Sequence, residues 1–279
     1  MIEIAIAIGV IGFALVAIIG ILPQGMNAQK DNREDTIISE DAPYFLNAIR
    51  NGEMRTNGGI LTNYVETIYI TNTPIGGVPQ TFTYSNPNLT TNVPNSVPIL
   101  TNDATIIGLL SLPEYDFRPA NNLGGMPAFH VGGGYTNEIS AVVRAMSGSA
   151  MQQNGANSLI AFRYQMNVEI DPWNFSSGNP VYNPIYNPNM NLPFPPNPAA
   201  GAAATNYVSY MCDLLHEVRL KFSWPLIELP NGTNQIGPGR QTYRSMVSSK
   251  LTITNSAYLN VPLGYFQPLS YTTNFNSFN

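Results

Sequence analysis

Residues 2–22 are apolar throughout except for one acid, Glu3, at the very start. As a helix rising about 1.5 Å per residue, this stretch is about 30 Å long, enough to cross a bilayer. A carboxylate inside hydrocarbon costs at least ~2.5 kcal/mol and needs a partner at the same depth. The chain has no Lys or Arg before Lys30, so the available positive group is the α-amino group of Met1. Glu3 stands too close in sequence to serve its own terminus well. The pairing expected is therefore between Glu3 of one copy and the Met1 amine of the next, which makes the segment an assembly signal. Secretory leaders usually open with Lys or Arg and end at a small-residue site. Here no basic residue comes first, and Gly25-Met26-Asn27-Ala28 is a poor cleavage site. An ordinary signal anchor has no need of Glu3, and a soluble core helix is apolar on one side only.

Charged residues make up 10% of the 279-residue chain, well below the usual quarter or so. They are densest over 30–55, and the more sparsely charged head is coated with Asn, Thr, Ser, Tyr and Gln. Such a surface lacks the repulsion that keeps small proteins apart and suits self-association. A net charge of −5 offers no basic field for nucleic acid. With one cysteine, Cys212, no intramolecular disulfide can form. Its apolar surroundings suit a small buried side chain.

Helix is expected to continue beyond the apolar run to about Arg50. Gly9, Gly12 and Gly20 weaken it, and Pro23 should break it. In its second half Ile38, Ala42, Phe45 and Ile49 are spaced as one helical face, widened by Leu46 and Ala48. Pro43 predicts a kink, or a fresh start capped by Ser39 or Asp41. Asn51-Gly52 is a stop signal. The organisation expected is thus an N-terminal helix over 1–52 and a β-rich head over 53–279.

Within the head, 64–70 has strand composition, 71–98 is rich in turn signals, and 104–112 is a short apolar segment. Periodicity leaves 138–146 open between helix and strand. Strict alternation of Ile160, Phe162, Tyr164, Met166, Val168 and Ile170 predicts a strand over 158–170. Residues 177–204 carry repeated Asn-Pro pairs and read as a long extended loop. In 215–224, His216, Val218, Leu220, Phe222 and Trp224 share one face. Residues 241–253 give a second strand with Tyr243, Val247, Leu251 and Ile253 on one face. Turn signals at 230–232 and 237–239 lie between them, so the two should pair as an antiparallel hairpin. The tail over 257–279 is aromatic and uncharged, suited to packing across a surface or a neighbour.

The opening Ile2-Glu3-Ile4-Ala5-Ile6-Ala7-Ile8-Gly9-Val10 resembles the prepilin motif of the type IV pilin superfamily after peptidase cleavage. The resemblance covers residues 1–30, where Ile21-Leu22-Pro23-Gln24-Gly25-Met26 also resembles prepilin-like proteins of verrucomicrobial type. The 215–224 and 241–253 pair is loosely similar to the last strands of minor-pilin and pseudopilin heads. In that family the acid pairs with the methylated terminal amine of an adjacent subunit. The family glutamate stands four residues past the terminus, whereas Glu3 is two past Met1. Gly12 lies where the family often begins a helix stretch that melts during assembly, and Pro23 falls a few residues after its helix-breaking proline. The resemblance implies helix breaks at Gly12, Gly20 and Pro23. It also implies core packing by Ile2, Ile4, Ile6, Ile8, Val10, Ile11, Phe13, Leu15, Val16, Ile18 and Ile19.

No Cys/His cluster, nucleophile elbow or phosphate loop is present. His130 and His216 lie in unlike surroundings and read as structural rather than metal-binding. The close acid pairs Glu114/Asp116 and Glu169/Asp171 fit a solvated strand edge as well as catalysis. The expectation is an α+β protein without enzymatic activity, cofactor, metal or nucleic-acid partner. It should wait in the inner membrane and then, with pilus assembly machinery, polymerise with identical copies into an extracellular type IV pilus-like filament. A minor pilin or secretion pseudopilin is one alternative. A membrane-anchored adhesion protein using the 177–204 loop is another.

Overall fold

The computed structural model describes residues 2–52, 59–74, 77–90, 93–116, 135–147, 162–172, 214–229, 233–254 and 259–267. Its architecture is α+β: one long N-terminal helix and a mainly antiparallel β-sheet domain. Helix α1, Ile2–Asn51, is 50 residues long and so spans about 75 Å. It runs without interruption through Gly12, Gly20, Pro23 and Pro43, so the expected breaks and the restart near Ser39 are absent. A proline removes one helical donor, and the turns on either side can bridge that loss. Asp41 is not a cap. It is buried on the inner face of the helix, where it accepts the Met146 amide at 2.9 Å and the Tyr164 hydroxyl at 3.0 Å. Those contacts hold the helix across the Pro43 position. Burial pushes the Asp41 carboxyl above its usual range, with the hydrogen bonds from Met146, Ser147 and Tyr164 opposing the shift.

The helical stripe read from spacing is the seam. Ile38, Ala42, Phe45 and Ile49 are each fully buried against the sheet. Asn51-Gly52 ends the helix as expected: Gly52 adopts φ +53° and donates its amide to the Ile49 carbonyl at 3.1 Å. A Cβ at this position would lie 2.0 Å from the Phe266 carbonyl oxygen, so glycine is required by both conformation and space.

The sheet contains β1 (Val65–Pro74), β2 (Gln80–Ser85), β3 (Ser96–Val97), β4 (Tyr115–Asp116), β5 (Tyr135–Arg144), β6 (Arg163–Pro172), β7 (Leu215–Glu228) and β8 (Asn234–Ser248). Their order is β3-β2-β1-β5-β6-β7-β8, with β4 paired to the start of β5. All pairs are antiparallel except β2–β3. Helix α2 (Asp103–Leu110) is capped by Asn102, whose side chain accepts the Thr105 amide at 2.7 Å. A two-stranded ribbon, β9 (Lys250–Thr254) with β10 (Leu263–Gln267), packs near α2 and α1. Tyr265 ties it to α2 by donating to the Ala104 carbonyl at 3.0 Å.

The ambiguous 138–146 segment is strand β5, and the apolar 104–112 segment is largely α2. Strand β2 lies inside the stretch read as turns, because its alternation of Thr, Phe and Tyr is only six residues long. The 215–224 strand and its antiparallel partner are present, with the predicted face of β7 buried. The partner starts at Asn234, so Gly237-Pro238-Gly239 lies within β8 rather than in a turn. It also stops at Ser248. Leu251 and Ile253 belong to β9, beyond a bend at the buried Ser249, whose hydroxyl donates to the Gln267 carbonyl. Met1, Cys212, His130, the 177–204 loop and the tail beyond Gln267 lie outside the described residues.

Gly52→Ala should lower the unfolding free energy by more than about 2 kcal/mol, because φ strain adds to a backbone clash. Denaturant titration of the full chain in detergent, followed by tryptophan fluorescence, checks this.

Candidate assembly surface

Among the described residues, nothing packs on the first half of α1. Ile2, Ile4, Ile6, Ile8, Val10, Ile11, Phe13, Leu15, Val16, Ile18, Ile19 and Ile21 are all exposed, from 53% at Leu15 to 79% at Phe13. These residues project on every side of the helix, with a mean hydropathy of 2.9 over its most apolar window. By length and composition the segment could cross a membrane. A Cβ added at Gly9, Gly12, Gly20 or Gly25 would meet nothing within 4 Å. Packing within the chain therefore does not require these glycines, and each leaves a flat patch where another helix can approach closely.

Glu3 lies in the first turn of α1, where the helix dipole favours an acid. It is exposed, so a single copy brings the carboxylate to the tip of the rod and leaves it open to a partner. The expected amine, on Met1, lies outside the described residues. The core-packing residues are thus brought onto one segment with Glu3 at its end, while Gly12, Gly20 and Pro23 lie in unbroken helix.

The same helix is fixed at its other end by polar as well as apolar contacts. Beyond the Asp41 bonds, the Tyr243 hydroxyl lies 3.1 Å from the Ser39 hydroxyl, and the Ser147 hydroxyl donates to the Ile37 carbonyl at 3.3 Å. Midway along the helix Lys30 pairs with Glu34 at 3.7 Å, one helical turn apart. Burial raises the Glu34 carboxyl above its usual range despite that pairing.

Of the acid pairs singled out in the sequence, Glu169 and Asp171 form structural ion pairs. Glu169 and Asp171 on β6 face Arg219 and Lys221 on β7, in a cross-strand charge ladder. The backbone of Glu114 bridges two strands, donating to Ile170 at 3.0 Å and accepting the Asn137 amide at 2.7 Å. A cluster not anticipated from the sequence surrounds Glu66, which is 1% exposed and bonded to Arg144 and Arg163. Glu66 is the extra residue of a β-bulge between Val65 and Thr67 in the β1–β5 register. The bulge turns its carboxylate toward both guanidinium groups. The available signal was an acid next to the apolar Val65 in a strand.

His216 is a core residue, packed edge-on to Phe266 with ring centroids 5.3 Å apart. Burial lowers its pKa to about 4, with a backbone hydrogen bond at Ser249 opposing the shift. Among the described residues no group of three His, Cys, Asp or Glu side chains converges on a point. No family model, curated protein or solved structure matches the chain.

The folded chain keeps His216 neutral, whereas the unfolded chain binds a proton below about pH 6.5. The stability this contributes is present above pH 6.5 and is lost as pH falls toward 4. The full loss is on the order of 3 kcal/mol. His216→Phe should flatten the stability–pH curve between those values by about one proton, as measured by denaturant unfolding across the range.

Proposed function

We propose that this chain is a structural subunit that polymerises through its N-terminal helix into an extracellular, type IV pilus-like filament. The observation that carries the reading is the fully exposed apolar half of α1, joined without a break to a half clamped in the head. A surface of this kind is stable only in lipid or against other apolar surface. Before assembly the inner membrane supplies the first, and in the filament equivalent helices supply the second. The prepilin-like order of residues around Glu3 favours pilin over a simple anchor.

About a dozen large apolar side chains, at about 1.5–3 kcal/mol each, outweigh any single ion pair. That range is an upper bound, since lipid already shields these groups before a subunit leaves the membrane. Helix packing therefore holds the fibre. Glu3, paired with the Met1 amine of a neighbour, sets the register and recruits the incoming copy. The open glycines at 9, 12 and 20 let the rods come close. Breaks at Gly12, Gly20 and Pro23 belong on this reading to the packed filament and not to the single chain. Pilus assembly machinery would draw subunits from the membrane pool, and a minor-pilin role would use the same contacts in a shorter fibre.

Glu3→Ala should abolish or greatly slow fibre formation while leaving the head's thermal unfolding unchanged. Electron microscopy of material sheared from cells, together with the melting curve, reads both outcomes. Wild-type yields of fibre from that variant would remove the register role. Gly12→Leu should likewise leave the head's melting temperature unchanged, because its surroundings are open, while reducing fibre yield. Recovery of the unaltered chain only with membranes would favour an anchored surface protein instead.

A further inference from the structure

Charged residues are scarce in this chain, and most described Lys and Arg side chains are held by acids or carbonyls of their own copy. Among the described residues the cations with neither an ion pair nor a hydrogen bond are Arg50 and Lys250, and both are exposed. They share one end of the head. Gly52, just past Arg50, packs on the Phe266 carbonyl, and Lys250 pairs with the next residue, Gln267. Arg50 stands about 42 Å along α1 from Leu22, out of reach of lipid headgroups when the apolar run spans a bilayer.

Two acids lie ahead of the head on the same helix. Asp31 and Asp35 are exposed and enter no ion pair among the described residues. Burial raises the Glu34 carboxyl, and the nearby Asp31 and Asp35 push it the same way, so like charges crowd this stretch. Asp35 precedes Ile38 by one helical turn and Asp31 by two, which continues the seam of Ile38, Ala42, Phe45 and Ile49 toward the apolar half. The acids thus occupy the face of α1 that carries the head, beyond the part the head buries. Within one copy they lie about 23–29 Å of helix from Arg50, too far to pair with it.

We propose that in the fibre Asp31 and Asp35 of one copy meet Arg50 and Lys250 of a second copy displaced about 25 Å along the rod toward the apolar end. The contact rests on the filament reading and names a further neighbour within it. Pairing of Glu3 with a terminal amine brings two helix tips nearly level, so the displaced copy is a different one. Its head ends over the face where Asp31 and Asp35 are exposed, and its cations meet the crowded acids. Exposed opposite charges contribute partner choice and orientation more than affinity, and salt screens them. Helix packing holds the fibre, and these charges fix the axial step between heads.

Zero-length carbodiimide coupling of fibres sheared from cells making the unaltered chain tests the contact, because the reagent joins an amine only to a carboxylate beside it. Mass spectrometry should find Lys250 joined to Asp31 or Asp35, and a denaturing gel should show covalent multiples of the chain. Asp31→Lys with Asp35→Lys, and Arg50→Glu with Lys250→Glu, should each cut fibre yield at least tenfold with the head still folded by its melting curve. All four changes together should restore the yield to within twofold. Fibres lacking the Lys250 cross-link, Lys250 joined to another protein, or a folded four-residue variant no better than the pairs would overturn this contact and leave the filament reading standing. Failure of the unaltered chain to form fibres would remove both.

Discussion

Among the described residues helix α1 is held at one end, and the consequences of the fold follow from how firmly that end is held. Ile38, Ala42, Phe45 and Ile49 pack on the sheet, Asp41 binds the end of β5 and the start of β6, and Gly52 stops the helix against β10. These contacts tie one rigid rod to three parts of the head. About 30 Å of that rod then projects with its apolar side chains uncovered. Burial of the second half determines where the first half points. A loosely tethered apolar segment could sink into any lipid or aggregate, but a fixed one presents the same geometry in every copy. Repetition of one geometry is what a helical polymer needs.

The described part of the head pairs most of its charges across neighbouring strands, Glu169 and Asp171 with Arg219 and Lys221, and Glu66 with two arginines at a bulge. A buried acid with two cationic partners is strongly destabilising to break, and its value lies in fixing the strand register as much as in net stability. Asp41 and His216 are both buried, and burial disfavours the charged form of each. Their protonation acts on stability in opposite directions. On acidification the folded state favours a protonated Asp41 and resists a protonated His216.

Much of this arrangement was legible in the sequence where one physical rule acted alone. The four-residue helical stripe, the Asn51-Gly52 stop and the alternation along β6 and β7 each follow from periodicity or from a backbone requirement. Where two rules competed, tertiary contacts decided. Pro43 and Pro23 favour breaks, yet the helix passes both; at Pro43 the Asp41 contacts and the buried stripe hold it in place. Gly237-Pro238-Gly239 has turn composition, yet pairing with β7 extends β8 through it, with Gly239 packed against the Trp224 ring. The end of β8 depends on Ser249 meeting Gln267, a contact between distant residues that local pattern does not contain. The Glu66 cluster was hidden for the same reason, because its arginines come from β5 and β6.

The candidate site divides along the same line. The apolar residues and Glu3 could be picked out because hydrocarbon tolerates so few sequences, and among the described residues nothing covers them. Helical reconstruction of fibres sheared from cells that produce this protein is the most direct measurement. The account predicts density for residues 2–21 on the fibre axis, with Glu3 within hydrogen-bond distance of a neighbour's terminal amine. Fibres with this segment at their periphery, or the chain recovered solely as single copies in the membrane, would contradict it.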